Sequence, residues 1–256
     1  MPYKFNFIVA LKLFKELRNP VYLIFKTYKM KIVQNLGSAF IIICMCCFFT
    51  PAKSQEKQEE KVEAATQVLV DFSKMKENIP TQLLEITQGI IIVPKLINAG
   101  FVLSGKRGKG LAMVKLEDGT WSNPVFVTLT GGGVGLQAGL QSIDLVLIFK
   151  NRETLENIGK GSFTLGGDIS VAAGPVGRSS TASTDYKLEA EVYSYSRSKG
   201  LFAGISLNGL AIDIDEKGNS AFYGDDADAK TLFSNAAKNS SASVTKLKSE
   251  LKSMYK

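Results

Sequence analysis

Residues 125–149 read VFVTLTGGGVGLQAGLQSIDLVLIF, and this stretch decides the fold class. Two apolar runs, Val125–Thr130 and Leu145–Phe149, flank a glycine-rich segment. The segment Gly131–Ala138 contains the spacing G-x-G-x-x-A, but a dinucleotide-binding loop must open a helix. The residues that follow alternate between apolar and polar, which is the pattern of a strand. We therefore predict successive strands in which glycines allow coiling and close packing, and no cofactor site.

The same texture of short apolar runs bounded by turn-forming residues extends from residue 90 to residue 223. We predict strands at Ile90–Val93, Phe101–Ser104, Leu111–Leu116, Val125–Thr130, Val134–Leu140, Leu145–Phe149, Phe163–Ala173, Leu188–Ser196, Leu201–Leu207, Ala211–Ile214 and Ala221–Tyr223. Glu117–Thr120 and Asp215–Asn219 carry hairpin-turn signals.

Helical periodicity is confined mainly to the flanks of this region. Apolar residues recur at intervals of three and four residues over Lys61–Met75, and again from Val244 to Met254. Between them, Asn151 can cap a helix of one or two turns. Because strands do not alternate with long helices, we predict an α+β fold: a curved antiparallel sheet or partial barrel, rich in glycine, with flanking N- and C-terminal helices.

Composition excludes several kinds of chemistry. The 256 residues include no His, which rules out a Ser-His-Asp triad, a Cys-His dyad and any His-ligated metal. The three cysteines, Cys44, Cys46 and Cys47, share one apolar run and cannot build a disulfide framework. The chain begins a calcium-loop pattern at Asp213, but Gly224 stands where a bidentate Glu is required. We predict no enzyme, no cofactor and no metal.

The net charge of +7 lies entirely in residues 1–54, which hold eight bases and one acid. The remaining 202 residues carry equal numbers of both, so they create no general field for nucleic acid. Leu36–Phe49 is too short for a membrane span of about 20 residues but fits a signal h-region. Lys29 and Lys31 precede it, and the small residues Ala52 and Ser54 follow it.

We predict a leader over residues 1–54, with the true start at Met30 and cleavage after Ser54, followed by an N-terminal helix over residues 55–78. The protein is then exported to the periplasm or cell envelope, or secreted. The alternative for residues 1–29 is a basic, aromatic segment that lies on a membrane surface. No small residue directly precedes any of the cysteines, so lipidation of one of them has poor support.

Several short motifs follow one another in the mature chain. They are Ile79-Pro80 with Gly89–Pro94, Gly105–Gly110, Trp121–Pro124, Gly135–Gly139, Asp144–Val146, Leu165-Gly166, Ala173–Arg178, Ser194–Gly204 and Phe222–Gly224. In this order they resemble the SYLF domain family, a lipid-binding module of bacterial envelope proteins and eukaryotic endocytic proteins. The resemblance implies a SYLF-like lipid-binding domain over residues 79–224, and leaves residues 225–256 as a C-terminal helix.

The resemblance implies binding of membrane lipid, with phosphoinositides as the eukaryotic ligands, and it implies no catalytic set. Some yeast members of the family also engage actin. For an exported protein we expect an anionic phospholipid or membrane surface as the partner, and we do not expect actin. The function predicted is that of an exported, non-enzymatic protein that contacts phospholipid head groups through basic loop tips. The alternative is an envelope structural or protein-interaction module that self-assembles as a homo-oligomer.

Lipid contact requires cations beside apolar groups that can insert. The residues that offer this are Lys106, Arg107 and Lys109 near Phe101, Arg197 and Lys199 near Tyr195 and Phe202, and Arg178. Each has a structural alternative. The first group can be a solvated hairpin tip, the second a structural hairpin whose charges face water, and Arg178 a capping or salt-bridged arginine.

Overall fold

In the computed structural model, the structure describes residues 50–75, 79–100, 103–134, 139–161, 163–175, 188–199, 201–202, 205–234 and 241–254, with backbone only at 50–53, 134, 159, 160 and 202. The chain divides into two compact units, residues 1–53 and 54–256, and the fold below is that of the second. The predicted apolar run Leu36–Phe49 lies outside the described residues, as do Phe101 and Arg178.

Within the described residues, nine strands form one sheet. They are β1 (Gly89–Gly100), β2 (Leu103–Val114), β3 (Val125–Val134), β4 (Gly139–Phe149), β5 (Phe163–Leu165), β6 (Val171–Ala173), β7 (Val192–Ser198), β8 (Leu201–Phe202) and β9 (Leu210–Ile214). Their order is β5-β9-β3-β2-β1-β4-β7-β6, with β8 beside β7. All neighbours are antiparallel except β6 and β7.

The sheet curls until its two edges almost meet. The edge strands β5 and β6 are joined by only residues 166–170, and Leu165 forms a bridge with Ile169. The result is a nearly closed barrel, which confirms the predicted α+β class with its partial barrel and flanking helices.

The helices are α1 (Thr50–Ser73), α2 (Thr81–Glu85), α3 (Arg152–Glu156), α4 (Glu216–Tyr223), α5 (Ala229–Phe233) and α6 (Ala242–Ser253), and a 3-10 turn (Asn157–Lys160) follows α3. Asn151, Asp215, Asp228 and Ser241 each accept a hydrogen bond from a backbone N–H in the first turn of the helix that follows. These caps satisfy N–H groups that have no partner inside the helix.

The two faces of the sheet belong to separate cores. The apolar stripe of α1, including Val62, Leu69 and Phe72, packs with α6 on one face. The other face buries a second cluster that includes Leu165 and extends to partly buried Val171, and therefore reaches both edge strands. We call the face under α1 the outer face and the other the inner face.

Strand β1 is longer than predicted because a β-bulge carries it past a proline. Pro94 and Lys95 together lie opposite Asp144, and Lys95 has a φ of 58°. Proline is tolerated in sheets at such bulges, where a ladder hydrogen bond is already missing. Pro94 therefore does not end the strand at Val93.

The predicted strand Ala221–Tyr223 and the hairpin turn at Asp215–Asn219 are wrong, since both lie in helix α4 or at its cap. Asn219 is almost fully buried, and its Oδ1 accepts a hydrogen bond from Phe126 N at 2.8 Å. A contact with β3 therefore stabilises the helix, and no local pattern reveals it. The predicted strand Phe163–Ala173 is interrupted by a turn and forms β5 and β6.

Candidate functional site

The predicted loop at Gly105–Gly110 lies inside strand β2, which pairs with β1 on one side and β3 on the other. A Cβ atom on Gly108 would lie 2.8 Å from Val93 Cγ1, and one on Gly110 would lie 2.5 Å from the carbonyl oxygen of Ile92. These glycines therefore permit close packing of neighbouring strands. The prediction of a flexible loop tip here is wrong.

Alternation along β2 separates its first two cations. Lys106 points to the inner face, is 7% exposed, and donates a hydrogen bond from Nζ to the carbonyl oxygen of Ser206 at 2.6 Å. Burial lowers the pKa of Lys106. Arg107 points the opposite way and is exposed on the outer face.

Lys109 shares the outer face with Arg107 but is held by an acid. Its Nζ lies 2.6 Å from Oδ2 of Asp215, whose side chain is only 9% exposed. Asp215 also caps helix α4. Lys109 thus joins β2 to α4, and its charge is largely compensated where it stands.

Arg197, in β7, joins helix α1 to the sheet. One guanidinium nitrogen, Nη2, lies 2.7 Å from Asp71 Oδ2 in α1 and 2.6 Å from Asp144 Oδ2 in β4. Burial acts to lower the pKa of Arg197, but hydrogen bonds and charge from Asp144 and Asp71 outweigh it and raise the pKa. Arg197 and Lys199, which were predicted to act together, therefore differ in environment, because two carboxylates hold Arg197 whereas Lys199 is exposed.

Lys199 is exposed in the turn after β7 and has a φ of 51°. This left-handed conformation is uncommon for a residue with a side chain. Among the described residues, neither Lys199 nor Arg107 forms an ion pair within 4.0 Å. Of the predicted cations that the structure describes, these two are exposed at the surface without an ion pair.

Four large apolar side chains are exposed near these two cations. Leu103, Leu140 and Leu201 are 75%, 74% and 73% exposed, and Ile97 is 38% exposed. We call these four residues the apolar tip. The register brings them to one end of the sheet: Ile97 lies directly opposite Arg107, and Ser198, opposite Leu201, donates a hydrogen bond to β4. None of the four was among the predicted site residues.

The aromatic residue predicted to accompany the cations of β7 is internal. Tyr195 is 1% exposed, and its hydroxyl donates to the carbonyl oxygen of Pro175 at 2.9 Å. Burial raises the pKa of its phenol. Trp121 is packed at 4% exposure, as its sequence context favours.

Within the described ranges, no three His, Cys, Asp or Glu side chains are arranged to hold a metal ion. In the same ranges, no helix has both the length and the apolar character needed to cross a bilayer. What the described surface presents is an apolar tip edged by two exposed cations. The glycine-rich, nearly closed sheet with its flanking helices defines the class of the protein as an α+β domain.

Comparison with known proteins identifies the family. The Ysc84 family, described as "Las17-binding protein actin regulator", matches residues 130–254. LAS seventeen-binding protein 3 of Saccharomyces cerevisiae is 37% identical over 185 residues, which are 71% of this chain and 40% of the yeast protein. SH3 domain-containing YSC84-like protein 1 of Xenopus laevis is 33% identical over 183 residues, 69% of this chain and 54% of the frog protein. The chain belongs to the SYLF, or Ysc84, domain family.

The chain spans about two fifths to just over half of the length of these relatives. Their names describe binding and SH3-containing proteins, and none of these names describes a catalytic activity. The family description also overturns one expectation. Actin was not expected as a partner because the protein was predicted to be exported, yet the matching family is described as an actin regulator.

Proposed function

We propose that this domain binds anionic phospholipid surfaces by inserting the apolar tip, with Arg107 and Lys199 contacting head groups. The observation that supports this is the grouping of three leucines, each about three-quarters exposed, at one end of the sheet beside two exposed cations. Exposed apolar clusters with adjacent cations are typical of interfacial membrane binding.

The apolar tip supplies the larger share of the binding energy. Full burial of a leucine side chain is worth about 1.5–3 kcal/mol, whereas a cation near an anionic surface contributes about 1 kcal/mol. Salt screens only the second contribution. Binding is therefore expected to weaken at high salt without disappearing.

The other predicted cations have structural roles in this proposal. Lys106 binds the Ser206 carbonyl, Lys109 pairs with Asp215, and Arg197 is held by two carboxylates. Releasing any of them toward a head group would leave a buried or half-buried acceptor without its donor. Arg178 remains a prediction from the family resemblance.

Flotation of the full chain with vesicles tests the proposal. The parent chain is compared with Leu103→Thr/Leu140→Thr and with Arg107→Gln, using neutral and phosphatidylserine-containing vesicles at low and high salt. Ile86→Thr is the matched control, because Ile86 is 40% exposed but lies outside the apolar tip. We expect the leucine double variant to float at least about tenfold less. Equal flotation of this variant and the parent would contradict the proposal.

A second candidate function is contact with proteins of the actin machinery, which the family description favours. The chain spans only 40% of the Las17-binding yeast relative, so that binding can belong to the part not shared. Co-sedimentation of the full chain with actin filaments tests this candidate separately. Co-sedimentation that survives Leu103→Thr/Leu140→Thr would mean that a different surface contacts actin.

We also propose that residues 1–54 direct export to the cell envelope, on the strength of the apolar run, the preceding lysines and the small residues after it. Mass spectrometry of the protein recovered from fractionated cells tests this. A mature N-terminus at Gln55 in the envelope fraction supports it. Full-length protein in the cytoplasmic fraction would refute it.

A further inference from the structure

A cavity of about 530 Å³ lies between helix α6 and the turn that joins β2 to β3. The apolar tip is at the other end of β2, because Leu103 begins this twelve-residue strand and Lys115 follows its last residue. At roughly 3.3 Å per residue the two places are about 35–40 Å apart. The cavity is therefore separate from the proposed membrane contact.

The lining of the cavity is cationic. It includes Lys115, Lys248 and Lys252 against one carboxylate, Asp118, together with the hydroxyl groups of two threonines and a serine. Oδ1 of Asp118 already accepts hydrogen bonds from the backbone N–H and the hydroxyl of Thr120 at 2.9 and 2.7 Å. Ammonium groups combined with hydroxyl donors are the set that binds phosphate oxygens.

A buried polar scaffold holds one of these lysines in place. Lys248 Nζ donates to Oδ1 of Asn123 at 2.9 Å, and both Asn123 and Ser122 are fully buried. The Ser122 hydroxyl accepts from Val114 N at 3.0 Å and donates to the carbonyl oxygen of Asn123 at 3.1 Å. Asn123, itself hydrogen-bonded by Ser122, thus holds the Lys248 ammonium group in place beside the cavity. Burial also lowers the pKa of Lys248, which is the cost that a bound anion would offset.

Trp121 adds an apolar surface to the lining of the cavity, and this residue is only 4% exposed. The volume falls in the range of about 300–1,000 Å³ found for small-molecule sites. None of the exposed large apolar side chains lines the cavity, so nothing here would insert into a bilayer. We propose that the cavity binds a small soluble organic phosphate, with Lys248 and Lys252 as its principal ligands.

Trp121 is the only tryptophan in the sequence, so its fluorescence reports on this cavity alone. The full chain is titrated with glucose 6-phosphate and with inorganic pyrophosphate in about 0.15 M salt, and binding is followed by fluorescence and by calorimetry. We expect saturable binding that weakens at least about tenfold in Lys248→Gln/Lys252→Gln, since a hydrogen bond to a charged group is worth that much. Lys246→Gln is the matched control, because Lys246 is exposed on the same helix but lines a different groove.

Lys252→Gln alone gives a milder variant, since Lys252 is exposed and its replacement leaves the Asn123 contact intact. Failure of both probes to saturate by either method would overturn the proposal, and so would unchanged affinity in the double variant. Phosphatidylserine vesicles provide a further arm. If they displace glucose 6-phosphate and float the parent but not the cavity variant, the ligand is a lipid head group and the soluble assignment is wrong. Unchanged phosphate affinity in Leu103→Thr/Leu140→Thr separates this result from the membrane proposal.

Discussion

The two halves of strands β1 and β2 have opposite environments. From Gly89 to Val93, and from Leu111 to Val114, every residue is buried, because helix α1 covers the outer face and the second core fills the inner face. From Leu103 to Gly110 exposed positions alternate with less exposed ones. One continuous strand therefore belongs to the core at one end and to the surface at the other.

This comparison shows what the long strands accomplish. The buried half, Gly89–Val93 with Leu111–Val114, is called the covered half, and the rest of the two strands is called the bare half. The covered half anchors β1 and β2 with apolar contacts on both faces, so the bare half can carry the exposed side chains of Ile97 and Leu103 without unfolding. The bare half is the part of the molecule free to bind something else.

The largest expected effect comes from the same substitution at the two ends of β2. Leu111 is fully buried and Leu103 is 75% exposed, and both side chains point to the outer face. We expect Leu111→Ala to lower the free energy of unfolding by about 2–5 kcal/mol, and Leu103→Ala to change it by no more than about 0.5 kcal/mol. Urea unfolding measures both. Similar values for the two would mean that the bare half is covered in solution.

The next comparison is between two glycines of β2, Gly110 and Gly105. A Cβ on Gly110 would lie 2.5 Å from the Ile92 carbonyl oxygen, whereas one on Gly105 would meet no atom within 4 Å. We expect Gly110→Ala to cost about 1–3 kcal/mol and Gly105→Ala to be neutral or slightly stabilising. Thermal unfolding of the two variants distinguishes them. Equal melting temperatures would contradict close packing of Gly110 against β1.

The core under helix α1, which includes Tyr195, also predicts a dependence on alkaline pH. Burial raises the pKa of the Tyr195 phenol above its ordinary value near 10, so it stays neutral in the folded state while the unfolded chain ionises. The free energy of unfolding should therefore fall above about pH 10, by up to about 1.4 kcal/mol per pH unit for this group.

Buried lysines such as Lys106, whose pKa burial lowers, act in the opposite sense, so the test is a difference between variant and parent. Tyr195→Phe should be less stable at pH 7, because the Pro175 carbonyl loses its donor, but should lose less stability between pH 9 and 11. Urea midpoints across this range check it. Parallel curves for the two proteins would show that Tyr195 is not the group responsible.

The smallest effects distinguish two neighbouring cations. Lys109→Gln removes the ammonium group that pairs with the nearly buried carboxylate of Asp215 and should cost about 1–2 kcal/mol, with vesicle flotation unchanged. Arg107→Gln should leave stability unchanged and reduce flotation, above all at low salt. Unfolding and flotation are measured on both variants. The reverse pattern would assign head-group contact to Lys109.

Much of the fold follows from local sequence. The turn with Gly119 at a φ of 77°, the cap by Asn151 and the apolar stripe of α6 are all short-range features, and each is confirmed. The strand through Pro94 and the helix from Glu216 depend on partners distant in sequence. A bulge needs an opposing strand and Asn219 needs Phe126, so neither is visible in a local pattern.

The candidate site could be predicted from the sequence only in part, for the same reason. Residue type identified the cations, but strand alternation decides that Arg107 is exposed while Lys106 is buried. A strand containing three glycines and three cations within six residues resembles a loop until its neighbours are known.

The bulge at Pro94 and Lys95 determines to which face of the sheet the following side chains of β1 point. Two residues of β1 there lie opposite a single residue of β4. Each side chain after the bulge therefore points to the face opposite to the one that uninterrupted alternation would give it. Deletion of Lys95 would leave a single residue opposite Asp144 and restore regular alternation, with Ile97 still on the outer face and Asn98 still on the inner face. The bulge therefore lets the strand hold one extra residue, and losing that residue would shorten the strand without changing the chemistry of either face.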